Sequence, residues 1–230
     1  METLALPKLL LDLKLGLTEK DAIVIIDDSP PKIFEEIKQR CLESSGDLMN
    51  LFMCNDFGGK SGRGAAVRRG MELVLSKFPL VETILECDGD GSHRPADILK
   101  IKNSTSEADL LVGSRYLANS KIVGWSVSRR TLSWFLNQSI PRLVKVNLTD
   151  ITNGLRRYSK KAVIEILSTK QKNTGFIYLS EQAILISRAN MVLSEEPIIF
   201  VDRKMGESTV TWRELFNSLR GVLKLILTNR

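Results

Sequence analysis

Two aspartates one residue apart follow an apolar run in the first half of the chain. The segment reads Glu86-Cys87-Asp88-Gly89-Asp90, and a helix is expected to begin after it at Pro95. Because side chains alternate along a strand, Asp88 and Asp90 project the same way, with room for a ligand at Gly89. Mg2+ and Mn2+ prefer hard oxygen ligands, and in proteins carboxylates and substrate phosphates jointly coordinate them. The segment predicts a divalent-metal site, with an Asp-Gly turn as the alternative.

A glycine-rich loop supplies a second chemical signal. It runs from Phe57 to Gly64, contains Lys60 and Arg63, and leads directly into a predicted helix. Glycines let the backbone approach a ligand, and a helix amino end with nearby cations favours anions. The loop lacks the glycine spacing of a nucleotide-binding P-loop. It predicts either a phosphate-binding loop or an ordinary surface loop.

Short apolar runs alternate with helical segments through the chain and must position these groups. Predicted strands at 22–26, 48–54, 81–87 and 108–112 are separated by predicted helices, and the run 22–26 ends in Asp27-Asp28. This alternation predicts βαβ units and a mostly parallel α/β sheet. Since ligands bind beyond the carboxyl ends of such strands, the acidic and glycine-rich loops are expected to meet there.

Composition limits the class of protein. The chain has 230 residues, of which 43% are hydrophobic and 26% charged, so a single globular domain over 1–230 is expected. The net charge of +6 suits anionic partners without choosing among them, and no motif supports nucleic-acid binding. Three cysteines without metal-ligand spacing predict reduced thiols in a cytoplasmic protein. No apolar stretch is long enough to span a membrane.

The second half of the chain carries further arginine-rich segments. They are Gly113-Ser114-Arg115-Tyr116, Gly124-Trp125 followed by Arg129-Arg130, the segment Asp150 to Tyr158, and Arg203 to Ser208. The last segment, 211–230, has apolar residues on one side and basic residues elsewhere, which predicts an amphipathic helix. That helix would lie on a membrane surface or pack against the sheet.

Taken in order, these motifs resemble glycosyltransferase family 2, in its dolichol-phosphate mannosyltransferase and polyprenyl-phosphate glycosyltransferase branch. The family's Asp-x-Asp and Ser-His-Pro-Pro pattern is similar to Asp88 through Pro95, and its Asp-x-Thr-Ser-Gly-Phe-Arg-x-Tyr segment to Asp150 through Tyr158. Five such motifs occur in family order from about residue 22 onward. The resemblance implies a glycosyltransferase A-type, Rossmann-like fold with helices flanking the sheet.

The resemblance also implies roles for individual residues. Asp88 and Asp90, with Ser92 facing the same ion, would hold Mg2+ or Mn2+ on the diphosphate of a GDP- or UDP-sugar. Asp27 and Asp28 would lie near the base and ribose. The arginines would bind the donor diphosphate or the acceptor phosphate, and they are Arg115, Arg129, Arg130 and Arg203. Asp90, Arg115 and Arg129 are the expected catalytic residues, and the single histidine, His93, is expected to be structural.

The implied reaction transfers mannose or a glucose-like sugar, with inversion, to a polyprenyl phosphate such as dolichyl or undecaprenyl phosphate. A lipid phosphate is already largely dianionic near neutral pH, so it can attack without a general base. The enzyme would be peripheral on the cytoplasmic face of a membrane, where a membrane-spanning partner protein is a further possibility.

One departure from the family pattern concerns the amino-terminal side. The family begins with a strand ending in Pro-x-Tyr-Asn-Glu, and no counterpart precedes the first predicted helix here. We therefore expect two exposed strand edges and an incomplete base pocket. The alternative functions are a truncated, non-catalytic relative that binds a nucleotide or a partner, and a nucleotidyltransferase of similar fold.

Overall fold

A computed structural model describes residues 2–46, 50–55, 62–170, 173, 175 and 177–202. The helices are α1 (Glu2–Lys14), α2 (Pro31–Ser45), α3 (Arg63–Lys77), α4 (Pro95–Lys102), α5 (Val127–Val144), α6 (Lys160–Ser168) and α7 (Tyr178–Arg188). The strands are β1 (Ile23–Asp27), β2 (Leu51–Asn55), β3 (Thr83–Glu86), β4 (Leu110–Ser114), β5 (Lys121–Val123), β6 (Arg156–Ser159), β7 (Leu193–Pro197) and β8 (Ile199–Val201). Lys60, Arg203 and the predicted helix 211–230 lie outside the described residues.

The strands form an α/β arrangement in which three pairings are parallel and two are antiparallel. β1 pairs with β2, β4 with β7 and β5 with β8 in parallel, whereas β6 lies antiparallel between β3 and β4. The chain enters β6 from the edge at which β4 ends, because Arg115 N–H bonds the Asp150 carboxylate there. Strand β6 therefore runs in the direction opposite to β4. The predicted α/β class is confirmed, and most of the pairings are parallel as expected, with β6 supplying both antiparallel ones.

The first three strands point the same way. Phe78, just beyond α3, packs against Phe52 near the start of β2 with ring centroids 5.4 Å apart. At the other end of α3, Arg63 Nη2 lies 3.1 Å from Glu86 Oε1 at the end of β3. Since α3 runs back along β2, the carboxyl ends of β1, β2 and β3 share one edge of the molecule.

A gap separates β1 from β3. Within the described part of the chain, neither strand has a partner on the side that faces the other. The gap is covered by α1 on one face and α3 on the other, and it forms part of a cavity of about 1640 Å³. The expectation of two unpaired strand edges is thus met by the described residues.

Three apolar clusters hold the layers together. The largest surrounds β4 and β6, where Leu110, Val112 and Tyr158 are fully buried beside α6 and α7. The others join α1 to α4 and to α2, the latter through Leu10 and Ile37. No helix among the described residues combines the length and hydropathy needed to cross a bilayer.

Candidate active site

The Asp88-Gly89-Asp90 segment leaves the end of β3 and turns at once. Asp90 Oδ1 accepts a 2.9 Å hydrogen bond from Ser92 N–H, and Gly91 between them adopts a φ of +80°. A side chain would be strained at that φ, so glycine fits the turn. Asp88 Oδ1 lies 2.9 Å from Arg63 Nη2. The turn thus carries two carboxylates, and the carboxylate of Asp88 is paired with a cation.

His93 is fully buried behind this turn. Asp88 N–H donates to its Nδ1 at 3.2 Å, so Nε2 carries the proton and donates to Asn153 Oδ1 at 3.1 Å. Its ring packs edge-on against Phe200, with centroids 5.6 Å apart. The predicted structural role of His93 is confirmed, and its position links the Asp88 turn to the Asn153 segment.

A buried carboxylate, Glu86, lies directly before the motif. It accepts hydrogen bonds from the Tyr158 and Tyr178 hydroxyls and pairs with Arg63. Burial, followed by the charge of Glu86, raises the pKa of both tyrosines well above 10, so both stay protonated donors. The network fixes Arg63, whose guanidinium occupies the space that a side chain at Gly154 would fill.

Arg115 is held by the most enclosed ion pair of the site. Its Nε lies 2.7 Å and its Nη2 2.8 Å from the two oxygens of Asp150, and Nη2 also donates to Thr152. Burial by itself raises the pKa of Asp150, but the charge and hydrogen bonds of Arg115 hold it below 3.8. The bidentate pair fixes the direction of a permanent positive charge.

A second arginine is placed by an aromatic ring. The Arg129 guanidinium lies 4.2 Å from the Trp125 ring centroid, and its Nη1 is 3.2 Å from Asp202 Oδ2. Trp125 Nε1 is buried and has no hydrogen-bond partner within the described part of the chain. Ser126 caps α5 by accepting from Arg129 N–H, which anchors this arginine in the first turn.

The two aspartates after β1 have a looser setting. Asp27 Oδ1 accepts a 2.7 Å bond from Ser29 N–H, and Asn55 from β2 donates to the Ser29 carbonyl. Asp28 is exposed. This turn borders the same cavity as the Asp88 segment.

One cavity of about 1640 Å³ brings together most of the residues predicted from the sequence. Its walls include Asp27, Asp28, Arg63, Asp88, Asp90, Ser92, Arg115 and Arg129. Arg130 instead lines a separate cavity of about 510 Å³ and donates to the Ile122 carbonyl at 2.6 Å. Lys60 and Arg203 lie outside the described residues.

The donor set at Asp88 and Asp90 fits a hard divalent cation. Among the described residues, no group of three or more His, Cys, Asp and Glu side chains is arranged around one point. Mg2+ does not require such a group, since one or two carboxylates suffice when substrate phosphates and water complete the shell. The neighbouring thiol of Cys87 does not compete, because burial, followed by the charges of Asp88 and Glu86, raises its pKa to about 12.

Sequence reasoning missed three polar residues of this site. Glu86 precedes the motif by two positions, and a carboxylate closing an apolar run is a signal that could have revealed it. Asp202 and Asn153 gave no comparable signal, because their partners Arg129 and His93 lie 73 and 60 residues away in sequence.

Comparisons with known proteins agree with this geometry. The chain is 30% identical over 209 residues to the undecaprenyl-phosphate mannosyltransferase of Micrococcus luteus, covering 90% of this chain and 82% of that protein. It is 26% identical over 190 residues to the polyprenol monophosphomannose synthase of Mycolicibacterium smegmatis, covering 82% and 70%. No protein-family model matches the chain.

The relative from Micrococcus luteus is an enzyme by name and is matched over four fifths of its length. The resemblance found in the sequence is confirmed, and the protein is a glycosyltransferase of α/β fold. The chain belongs to the polyprenyl-phosphate glycosyltransferase family.

Proposed function

We propose that this enzyme transfers mannose from a nucleotide sugar to a polyprenyl phosphate, with inversion at the anomeric carbon and with a divalent cation bound at Asp88 and Asp90. The names of both relatives support the sugar and the acceptor. The observation that supports the rest of the proposal is that Asp88 and Asp90 line the same cavity as Arg115 and Arg129, two arginines held by carboxylates.

The donor would lie along the carboxyl edge of the strands. Asp27 and Asp28 border the end at which the base and ribose would bind, and the diphosphate would reach the Asp88 turn. A cation held by the two aspartates would act as a Lewis acid on the diphosphate oxygens. Arg63 offsets part of the negative charge at Asp88, which reduces repulsion between that carboxylate and a phosphate.

The acceptor would approach from the side of Arg115 and Arg129. Both guanidiniums are oriented by carboxylates, Asp150 and Asp202, before any ligand binds, so little reorganisation is needed. A phosphate oxygen of the acceptor forms a bond to the anomeric carbon while the bond from that carbon to the donor phosphate breaks. The electron pair leaves with the nucleoside diphosphate, and no proton needs to be removed from the attacking group.

Labelled sugar transfer tests the proposal. The purified protein is incubated with Mg2+ or Mn2+, a polyprenyl phosphate, and a panel of radiolabelled GDP- and UDP-sugars, and lipid-extractable label is measured. We expect labelled lipid from a mannose donor, a β-linked product from an α-linked donor, and none with unphosphorylated polyprenol. Absence of labelled lipid with every donor contradicts the proposal.

A second candidate is a non-catalytic relative that binds a nucleotide. The gap between β1 and β3 favours this second candidate. Within the described residues, β1 and β3 are not paired with each other, so the edge proposed to bind the base is interrupted. Calorimetry with the same donors separates the two. Binding of a nucleotide sugar without any transfer supports this candidate, whereas transfer rejects it.

A further inference from the structure

One guanidinium nitrogen joins two carboxylates beside the proposed cation site. Arg63 Nη2 lies 3.1 Å from Glu86 Oε1 and 2.9 Å from Asp88 Oδ1. A terminal guanidinium nitrogen carries two hydrogens, so it can donate one to each carboxylate. Asp88 is a proposed metal ligand, and Glu86 is not. The first residue of α3 thus connects a buried carboxylate to the turn that would hold the cation.

Glu86 is held in place by groups other than Arg63. The Tyr158 hydroxyl donates to its Oε2 at 2.9 Å, and the Tyr178 hydroxyl donates to its Oε1. Both tyrosines are fully buried, and they come from two different elements, strand β6 and the first turn of α7. Glu86 itself is 8% exposed. Its position is therefore set by β6 and α7, and it can in turn orient Arg63.

Arg63 is confined on its other sides as well. Its guanidinium lies 5.8 Å from the centroid of the Tyr178 ring. A side chain at the buried Gly154 would collide with the same guanidinium, so glycine is needed there for the close approach. A guanidinium stays protonated throughout the pH range in which proteins fold. Arg63 is therefore a permanent positive charge with little freedom to move away from Asp88.

A fixed positive charge at this point opposes the binding of a cation by the same turn. Repulsion between a unit charge and a divalent ion a few ångströms apart remains large even at the effective dielectric constant of a protein surface. Glu86 acts in the opposite direction, because its negative charge offsets that of Arg63. The cation affinity of the turn then depends on two side chains that are not proposed metal ligands.

The remaining donors of Arg63 are available to a ligand. Within the part of the chain that the structure describes, its Nε and Nη1 have no hydrogen-bond partner. The side chain is 21% exposed and lines the large cavity together with Asp88 and Asp90. Diphosphate oxygens could accept from these nitrogens and would offset the charge that repels the cation. The same arginine would therefore oppose a cation in the empty site and bind the donor.

We propose that Arg63 and Glu86 set the cation affinity of the Asp88–Asp90 turn. Arg63 keeps that affinity low in the donor-free site, and Glu86 is the positioning residue that limits the repulsion. The inference rests on the proposed function for its cation and its donor. The alternative is a purely structural pair, which joins α3 to β3 and has no influence of its own on the cation.

Binding of Mn2+ to the donor-free protein tests the proposal, with electron paramagnetic resonance measuring the free ion. We expect Arg63→Gln to bind Mn2+ about 10-fold more tightly than the wild type, and Glu86→Gln about 10-fold more weakly. The double variant, with both changes, is expected to lie within about 3-fold of the wild type because the two charges are lost together. A structural pair predicts another pattern, in which the double variant binds no better than Glu86→Gln alone.

Two matched controls separate charge from packing. Arg69→Gln removes an exposed arginine from the same helix and is expected to bind Mn2+ within about 2-fold of the wild type. Arg63→Lys keeps the charge and is expected to stay within about 3-fold. Thermal unfolding verifies that each variant is folded. If Arg63→Gln does not fold, the comparison of Glu86→Gln with the double variant decides, since the double variant leaves neither charge buried without its partner.

Two results overturn the inference. One is an Arg63→Gln variant that folds and binds Mn2+ no more tightly than the wild type. The other is a double variant that does not recover the affinity lost in Glu86→Gln.

Labelled sugar transfer separates this inference from the proposed function. In that assay, Arg63→Gln is expected to reach its half-maximal rate at a lower metal concentration, while its KM for the nucleotide sugar rises about 10-fold. Metal-dependent transfer by the wild type without tighter Mn2+ binding by Arg63→Gln rejects the inference alone. The expected shifts in Mn2+ affinity, in a protein that yields no labelled lipid with any donor, reject the proposed function alone.

Discussion

The two sides of the large cavity proposed as the active site differ in how deeply their residues are buried. Every residue of β4, which leads to Arg115, is buried, and every residue of β1, which leads to Asp27, is only half-buried. β4 lies between two strands, while β1 is paired on one side within the described residues. The side proposed for phosphate chemistry is therefore held more firmly than the side proposed for the base.

Polar contacts show the same difference. Asp150 is bonded by the backbone and side chain of Arg115, and Glu195 in turn accepts from the N–H groups of Thr149 and Asp150. Asp27 makes a turn bond to Ser29 two residues away, and Asp28 is exposed. A group fixed from several directions costs little to orient during a reaction, whereas an exposed one is ordered only when a ligand arrives.

The largest effect is expected from breaking the buried pair on the phosphate side. Asp150→Asn removes one charge of a pair whose side chains are 7% and 0% exposed, and leaves the Arg115 charge without its counter-ion. We expect a loss of about 3–5 kcal/mol in the free energy of unfolding. Chemical denaturation measures it, with Glu36→Gln in the exposed Glu36–Arg40 pair as the control, which should cost less than about 1 kcal/mol.

The same pair predicts a dependence on pH. Because the folded pKa of Asp150 is lowered from 3.8, its contribution to stability is present above 3.8 and is lost as pH falls through the folded value. Acid should therefore destabilise the wild type more steeply than Asp150→Asn below pH 3.8. Parallel curves for the two proteins would show that the pair does not govern this side of the site.

Removal of a proposed metal ligand comes next. Asp90→Asn keeps the Oδ1 that accepts from Ser92 N–H but loses the charge, so the turn should persist while the cation is lost. We expect the transfer rate to fall by about 100-fold or more, as several kcal/mol of transition-state stabilisation disappear. Initial rates at saturating metal measure the change. A rate within 3-fold of the wild type would show that Asp90 is not a metal ligand.

A smaller effect is expected at Trp125. Trp125→Phe retains an aromatic ring beside Arg129 and Phe200 and removes the buried Nε1 donor, which has no partner within the described residues. If that donor serves a substrate oxygen, transfer should slow by about 10-fold with little change in melting temperature. An unchanged rate would show that Trp125 acts only by packing against Arg129.

The smallest effect is expected on the more open side. Asp28→Asn changes an exposed carboxylate, and charges in water contribute little. We expect the KM for the nucleotide sugar to rise by about 3-fold or less, with kcat unchanged. A loss of activity as large as that of Asp90→Asn would show that the base side is as tightly defined as the phosphate side.

The sequence predicted the parts of the fold whose signal is local. Apolar runs followed by helical segments located β1 to β4 and the helices between them within a few residues. β7 carries the polar sequence Leu-Ser-Glu-Glu-Pro and gives no apolar run that would reveal a strand. The polar pair Arg156-Arg157 hides the burial of β6. Arg156 can be buried because three backbone carbonyls accept its hydrogen bonds, a fact that only the tertiary structure contains.

The candidate site shows the same division. The order of the motifs predicted which residues meet, and Asp88, Asp90, Arg115 and Arg129 do line one cavity. The ion pairs of Arg115 and Arg129 were not predictable, because their partners Asp150 and Asp202 lie 35 and 73 residues away in the sequence. The separate position of Arg130 also follows from α5, since consecutive helical residues point about 100° apart.

The metal dependence of sugar transfer tests the central claim most directly. Transfer of labelled mannose to polyprenyl phosphate is measured for the wild type and for Asp90→Asn, first with a chelator and then over a titration of Mg2+ or Mn2+. We predict no transfer with the chelator, recovery of the wild type on addition of metal, and little recovery of the variant. Full transfer in the presence of the chelator, or equal recovery of both proteins, would contradict a cation held by Asp88 and Asp90.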